Sequence, residues 1–224
     1  MWHEFTSSTG CVAAMVRNIG NELQREVHET GNATLAVSGG RSPIPLFEAL
    51  AQADLPWRQI TVALVDERHV PLDHPDSNEK LVRSYLLQGK AALAKFTGLV
   101  TDPDNIAASV AHSNTLSGNL TVVILGMGDD GHTASLFPEA PQLTEGLAPD
   151  QAKRYLHMTP GLAAHERISM TLAAMLGSKR IVLGIAGGHK RRIYEEAATQ
   201  VTPALPISYV VAQKEVPLDV YWHP

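Results

Sequence analysis

Apolar and polar positions alternate along the chain between two kinds of segment. Short runs of aliphatic and β-branched residues occur at Thr34–Val37, Ile60–Val65, Leu120–Leu125 and Arg180–Ile185. Each ends near a glycine or a charged cluster, and each is read as a buried strand. Between and around them, helical patterns are expected at 8–29, 43–52, 77–88, 104–116, 165–177 and 188–199. A later run, Ile207–Val211, is expected as the strand that completes the sheet. Strands alternating with helices predict an α/β fold with a largely parallel sheet and helices on both faces, Rossmann-like in architecture. We take residues 1–224 as one domain, since a single α/β domain of this length is ordinary.

In such folds ligands bind beyond the carboxyl ends of the strands. The polar clusters of this chain lie there. The first run leads into Ser38-Gly39-Gly40-Arg41-Ser42 and the second into Asp66-Glu67-Arg68. The third leads into Gly126-Met127-Gly128-Asp129-Asp130-Gly131-His132, and the fourth into Gly187-Gly188-His189-Lys190. Four strand ends carrying glycines or charges are the strongest local sign of a site.

Composition narrows the classes. Hydrophobic residues make up 44% and charged residues 18%, a globular balance. No apolar run approaches the roughly 20 residues that span a bilayer. The start, MWHEFTSSTG, lacks the basic and apolar regions of a secretory signal. Cys11 is the single cysteine, which excludes an internal disulfide and fits a reducing, cytoplasmic setting. The net charge of -5 and the lack of a basic stripe argue against a nucleic-acid partner. Lys190-Arg191-Arg192 is too short a cluster to change that. No membrane partner is expected. No pattern sets an oligomeric state, and a monomer is compatible with the chain.

Each cluster has a functional and a plain reading. Ser38–Ser42 precedes Pro43, a plausible first helical residue. Free N–H groups there favour a phosphate, and the glycines allow close approach; the alternative is a turn capped by Ser42. Ala36-Val37-Ser38-Gly39-Gly40 also falls one residue short of a nucleophile elbow, so a serine esterase using Ser38 is an alternative. No acid and later histidine stand out in the order such an enzyme needs. Gly126–Gly131 spells a dinucleotide fingerprint, but Asp129 and Asp130 would face the pyrophosphate. The glycines are better read as shaping a loop that presents Asp130 and His132 for acid–base work.

Arg68 can grip phosphate or carboxylate with its fork of donors. His69, Asp73, His74 and Asp76 crowd the following loop, yet no established metal spacing appears, and neither a metal nor a cofactor is expected. No P-loop is present. Lys190 opens a predicted helix, where a cation is disfavoured unless an anion compensates it. Arg167, near the predicted start of the 165–177 helix, is a second such cation.

These residues together carry a resemblance. The chain is similar to the 6-phosphogluconolactonases, relatives of the glucosamine-6-phosphate deaminases, from about Thr34 to Val211. The most specific stretch is Gly126-Met127-Gly128-Asp129-Asp130-Gly131-His132-Thr133-Ala134-Ser135-Leu136-Phe137-Pro138. Asp129 stands where the family usually shows proline. Ser38-Gly39-Gly40, Asp66-Glu67-Arg68, Ser77-Asn78, Arg167–Thr171 and Gly187–Lys190 match in order. The deaminase branch continues after Asp-Gly-His as Ile-Ala-Phe-Asn-Glu-Pro; this chain has Thr133–Pro138 and lacks the Asn-Glu pair.

The resemblance implies a sugar-phosphate isomerase-like fold and hydrolysis of 6-phosphoglucono-δ-lactone in the pentose phosphate pathway. It implies His132 as general base, with Asp130 supporting it. Arg68, Arg167, Lys190 and the Ser38, Gly39, Gly40, Arg41 and Ser42 loop are the phosphate candidates. Asp66 and Asn78 complete the expected substrate contacts. N–H groups of Gly39, Gly40 or Gly131 are candidates for the oxyanion. A non-catalytic sugar-phosphate-binding domain is a further alternative, but such proteins usually carry a DNA-binding segment, and no helix-turn-helix fits before Thr34.

Overall fold

A computed structural model describes residues 1–161 and 163–224. Its elements, in chain order, begin with β1 (Trp2–Glu4), α1 (Ser8–Thr30), β2 (Ala33–Val37), α2 (Ile44–Ala51), β3 (Ile60–Leu64), β4 (Asp66–Arg68) and α3 (Asn78–Tyr85). The middle holds β5 (Lys95–Thr97), α4 (Ile106–Ser113), β6 (Val122–Leu125), α5 (Leu143–Leu147), β7 (Tyr155–Met158) and β8 (Arg167–Met170). The chain ends with α6 (Leu172–Leu176), β9 (Arg180–Ala186), α7 (Gly187–Ala197), α8 (Ile207–Ala212) and β10 (Leu218–His223).

Seven parallel strands form the main sheet in the order β1-β10-β9-β6-β2-β3-β5. The central strands β2, β3, β6 and β9 are aliphatic because helices cover the sheet and leave them little solvent. All four residues of β6 are buried. Helix α1 starts on Ser7, whose hydroxyl accepts the Gly10 N–H at 3.2 Å, and ends on Gly31 at φ 85°. It lays Cys11, Met15, Ile19 and Leu23 toward the core at helical spacing. It packs on β2, β6 and β10, while α7 packs on β9 and β10. Among the described residues, no helix is long and apolar enough to cross a membrane.

The site depends on a second, antiparallel sheet, β4-β8-β7. Val65 is the junction. Its N–H donates to Val37 O in the main sheet at 2.9 Å, and its carbonyl accepts from Met170 N at 2.8 Å. The chain therefore leaves one sheet and enters the other within a residue, which sets Asp66, Glu67 and Arg68 at the sheet boundary.

Two expected elements differ. Ile207–Val211 is not a strand but lies in α8, which follows Pro206; Ile207, Ser208 and Val210 are buried along it. A short β-branched run cannot distinguish buried helix from buried strand. The sheet is completed instead by β10, which pairs with β9 and β1. The expected 165–177 helix is also divided. Arg167–Met170 is strand β8, and only Leu172–Leu176 is helical, beginning after Thr171, whose hydroxyl accepts the Ala174 N–H at 3.2 Å.

Candidate active site

A cavity of about 380 Å³ opens at the carboxyl ends of β2, β6 and β9. Among its lining residues are Ser38, Gly39, Gly40, Ser42, Asp66, Arg68, Asn78, Gly128, His132 and Lys190. Residues from the four expected strand ends thus share one cavity.

The loop after β6 is a self-bonded unit. Gly128 N–H donates to His132 O at 2.9 Å, and the Thr133 hydroxyl donates to Gly126 O at 2.9 Å. Asp130 Oδ1 accepts the His132 backbone N–H at 3.1 Å and lies 2.5 Å from His132 Nδ1. With a carboxylate holding the proton on Nδ1, Nε2 keeps its lone pair. The Phe137 ring lies 4.5 Å from the imidazole centroid and limits its swing. Gly128 has to lack a side chain here, because a Cβ would overlap Nδ1 and Cε1 of His132.

Asp66 and Asn78 are fixed from several directions. Ser135 Oγ donates to Asp66 Oδ2 at 2.6 Å, and Asn78 Nδ2 donates to Asp66 O at 2.8 Å. The Asn78 amide packs so closely on Gly39 that a Cβ there would overlap it. Asn78 Oδ1 is buried with no protein partner among the described residues. Behind them, Glu67 is almost fully buried and accepts the N–H groups of Arg68, Asn78 and Glu79, each at 2.7 Å. Burial pushes its carboxyl up to about 7 against the pull of those donors.

The cations are placed unequally: Arg68 and Lys190 line the cavity, whereas Arg167 lies off its wall. Arg68 Nη1 donates to Asp76 O at 2.6 Å. Arg167 lies directly opposite Arg68 in the β4–β8 register, is buried, and stands 5.8 Å from the Phe137 ring centroid. Burial, and then the neighbouring Arg68 charge, hold the Arg167 pKa down, while Asp66 and Glu67 oppose them. Like charges opposite each other on paired strands repel. The Nε atoms of both arginines are buried and unpartnered among the described residues. Arg167 owes this to a strand, not to the helix start expected from the sequence. Lys190, in the first turn of α7, donates to Met127 O and lies 3.8 Å from Asp129 Oδ1.

The remaining candidates are placed less centrally. Arg41 is exposed and lies off the cavity wall. Ser42 does not cap α2; Pro43 precedes its first residue and no side chain bonds there. Gly131 N–H turns back to Gly128 O at 3.2 Å, and Gly131 is not part of the cavity wall. Ser38 donates its hydroxyl to Ile124 O at 3.0 Å. Residue type along the sequence does not single out Ser135, Phe137 or Glu67 as site residues. Ser135 and Phe137 lie inside the specific 126–138 stretch, and Glu67 lies between Asp66 and Arg68, so position is the available signal.

Comparison with known proteins extends this picture. The sequence profile described as "Glucosamine-6-phosphate isomerases/6-phosphogluconolactonase" matches residues 6–222. A Neisseria meningitidis protein named 6-phosphogluconolactonase is 39% identical, over 99% of this chain and 98% of its own. A Pseudomonas putida protein of the same name is 38% identical, over 99% and 92%. The crystal structure of a 6-phosphogluconolactonase from Shewanella baltica superimposes with a TM-score of 0.94 at 33% identity, covering 100% of this chain and 97% of that one.

Proposed function

The chain belongs to the glucosamine-6-phosphate isomerase/6-phosphogluconolactonase family, and from that premise we propose that it hydrolyses 6-phosphoglucono-δ-lactone to 6-phosphogluconate. The observation that carries the proposal is the His132–Asp130 pair at 2.5 Å, on a cavity that also holds Arg68 and Lys190. A δ-lactone is an activated ester, so a positioned base and water suffice without a covalent nucleophile. His132 Nε2 takes a proton as the water oxygen bonds to C1. The tetrahedral intermediate collapses with breakage of the bond from C1 to the ring oxygen, and the imidazolium returns the proton to that oxygen. The new carboxyl group releases its own proton to solvent. Asp130 holds the ring in the useful tautomer and stabilises its charged form. The N–H groups of Gly39 and Gly40 are the better candidates for the oxyanion, because Gly131 N–H is already engaged.

The phosphate supplies binding energy remote from the reacting carbon and orients the lactone. Lys190, Arg68 and Arg167 are its candidate partners. The single free cysteine, buried Cys11, is in keeping with a reducing, cytoplasmic setting.

The direct test replaces His132 by Asn, which keeps size and some hydrogen bonding but no basic nitrogen. Turnover on freshly generated lactone, corrected for spontaneous hydrolysis, is expected to fall roughly 10²–10⁴-fold. Product binding is expected to change little. Near wild-type turnover in a folded His132→Asn protein would remove His132 from this role.

A further inference from the structure

His74, Asp76 and His165 meet at the rim of the second sheet, beyond the residues that line the cavity. One ring nitrogen of each histidine and one Asp76 carboxylate oxygen lie within 4.8 Å of one another. His165 Nε2 is 2.9 Å from Asp76 Oδ2, and His74 Nδ1 is 3.9 Å from the same oxygen. The two imidazoles sit edge to face, 5.1 Å between centroids. A tetrahedral ion with bonds of about 2.0–2.1 Å sets its ligands about 3.4 Å apart. The present separations bracket that spacing, so small side-chain adjustments bring all three to one centre.

His74 Nδ1 accepts the Asp76 backbone N–H at 3.1 Å, so it carries a lone pair and no proton. An ion taking that lone pair leaves an exposed amide that water can satisfy. His165 Nε2 donates to Asp76 Oδ2, and binding an ion there releases that proton. His165 adopts a φ of 70°, uncommon for a residue with a side chain. All three side chains are open to solvent, at 34%, 54% and 27% exposure, so an ion can reach them without unfolding.

We propose that His74, Asp76 and His165 form a binding site for a borderline transition-metal ion of the Zn²⁺ class. Two imidazoles and one carboxylate suit that class. They do not suit Mg²⁺ or Ca²⁺, which take mostly oxygen ligands. Three protein ligands are one short of a closed structural site, so water or an anion fills the fourth position. The ion would tie the loop after β4 to the segment before β8. Those two strands carry Arg68 and Arg167, and the backbone link between the segments there is His69 N–H to Glu166 O at 2.8 Å.

The test uses the full-length protein, stripped by a chelator and dialysed, titrated with Zn²⁺ alone in a calorimeter. Co²⁺ titration followed by visible absorption reports the ligand geometry independently. The expected result is one Zn²⁺ per chain with a tetrahedral-type Co²⁺ spectrum. Affinity is expected to fall at least about tenfold in His74→Ala and in His165→Ala, since losing even a supporting partner of a ligand costs that much. The two residues lie on different segments, so either variant serves if the other folds poorly. His132→Asn, which removes another partly exposed imidazole paired with a carboxylate, is expected to bind Zn²⁺ as wild type does. The absence of Zn²⁺ binding, undiminished binding in His74→Ala or His165→Ala, or binding abolished by His132→Asn would each overturn the proposal.

Discussion

Replacing Gly128 by alanine tests the positioning of His132 without removing it. Gly128 does not adopt a positive φ, so alanine introduces no backbone strain of that kind. The added methyl overlaps Nδ1 and Cε1 of His132 and stands 2.6 Å from Asp130 Oδ1, whereas ordinary contacts begin at 3.4 Å. The neighbouring atoms are not the far end of a long flexible chain. Asp130 holds the ring through a 2.5 Å contact and Phe137 flanks it at 4.5 Å. The imidazole therefore has to move by about 1 Å or turn away, and misplacement on that scale costs about 10²-fold. We expect kcat on 6-phosphogluconolactone to fall by about that factor, with product inhibition by 6-phosphogluconate nearly unchanged. Proton release in a pH-stat measures the rate, with spontaneous hydrolysis subtracted. Because the methyl acts through the ring, Gly128→Ala combined with His132→Asn should be no slower than His132→Asn alone. Turnover of Gly128→Ala within a few-fold of wild type, in a protein with a native circular dichroism spectrum, would refute the reasoning. A full further loss in the double variant would also refute it.

Other outcomes follow from the same geometry. Lys190→Ala or Arg167→Ala should weaken 6-phosphogluconate binding roughly 10- to 100-fold, as expected for losing a charge-assisted hydrogen bond; equal activity on unphosphorylated gluconolactone would contradict a phosphate-led choice of substrate. Ser38→Ala should keep much of the turnover, and a fluorophosphonate should not label Ser38, whose hydroxyl is committed to Ile124 O; stoichiometric labelling with loss of activity would favour the esterase reading. Glu67, raised from an ordinary 4.5 to about 7, binds its proton in the folded state where the unfolded chain has lost it. Its contribution is thus fully present below about 4.5 and is lost as pH rises through about 7, an amount of up to about 3 kcal/mol. Urea unfolding of wild type against Glu67→Gln should show the stability difference moving in favour of the variant from pH 5 to pH 8; a difference independent of pH would contradict it.

Much of the framework was legible in the chain itself. Strands buried on both faces must be aliphatic throughout, so β2, β3, β6 and β9 were visible as runs, and the rule that ligands gather at their carboxyl ends located the cavity. The Asp130–His132 pair was legible for a different reason: both residues belong to one short loop, and the contacts that join them are local to it. β10 was not visible, because Leu218-Asp219-Val220-Tyr221-Trp222-His223 mixes polar and aromatic residues and lacks a continuous aliphatic signal. Arg167–Met170 reads locally as helix because its strand conformation depends on pairing with both β4 and β7, which no local window contains.

Tertiary structure alone decided how distant segments complete the site. Ser135 reaches Asp66 and Asn78 packs on Gly39 because the order β9-β6-β2-β3 sets their strand ends side by side. The opposition of Arg68 and Arg167 is a matter of antiparallel register, and the meeting of His165 with His74 and Asp76 follows from the same pairing. Sequence determines what depends on neighbours along the chain: periodicity, loop chemistry and the burial each run demands. Which charges face each other is decided by strand order and register, and these are set by the free energy of the whole packed core.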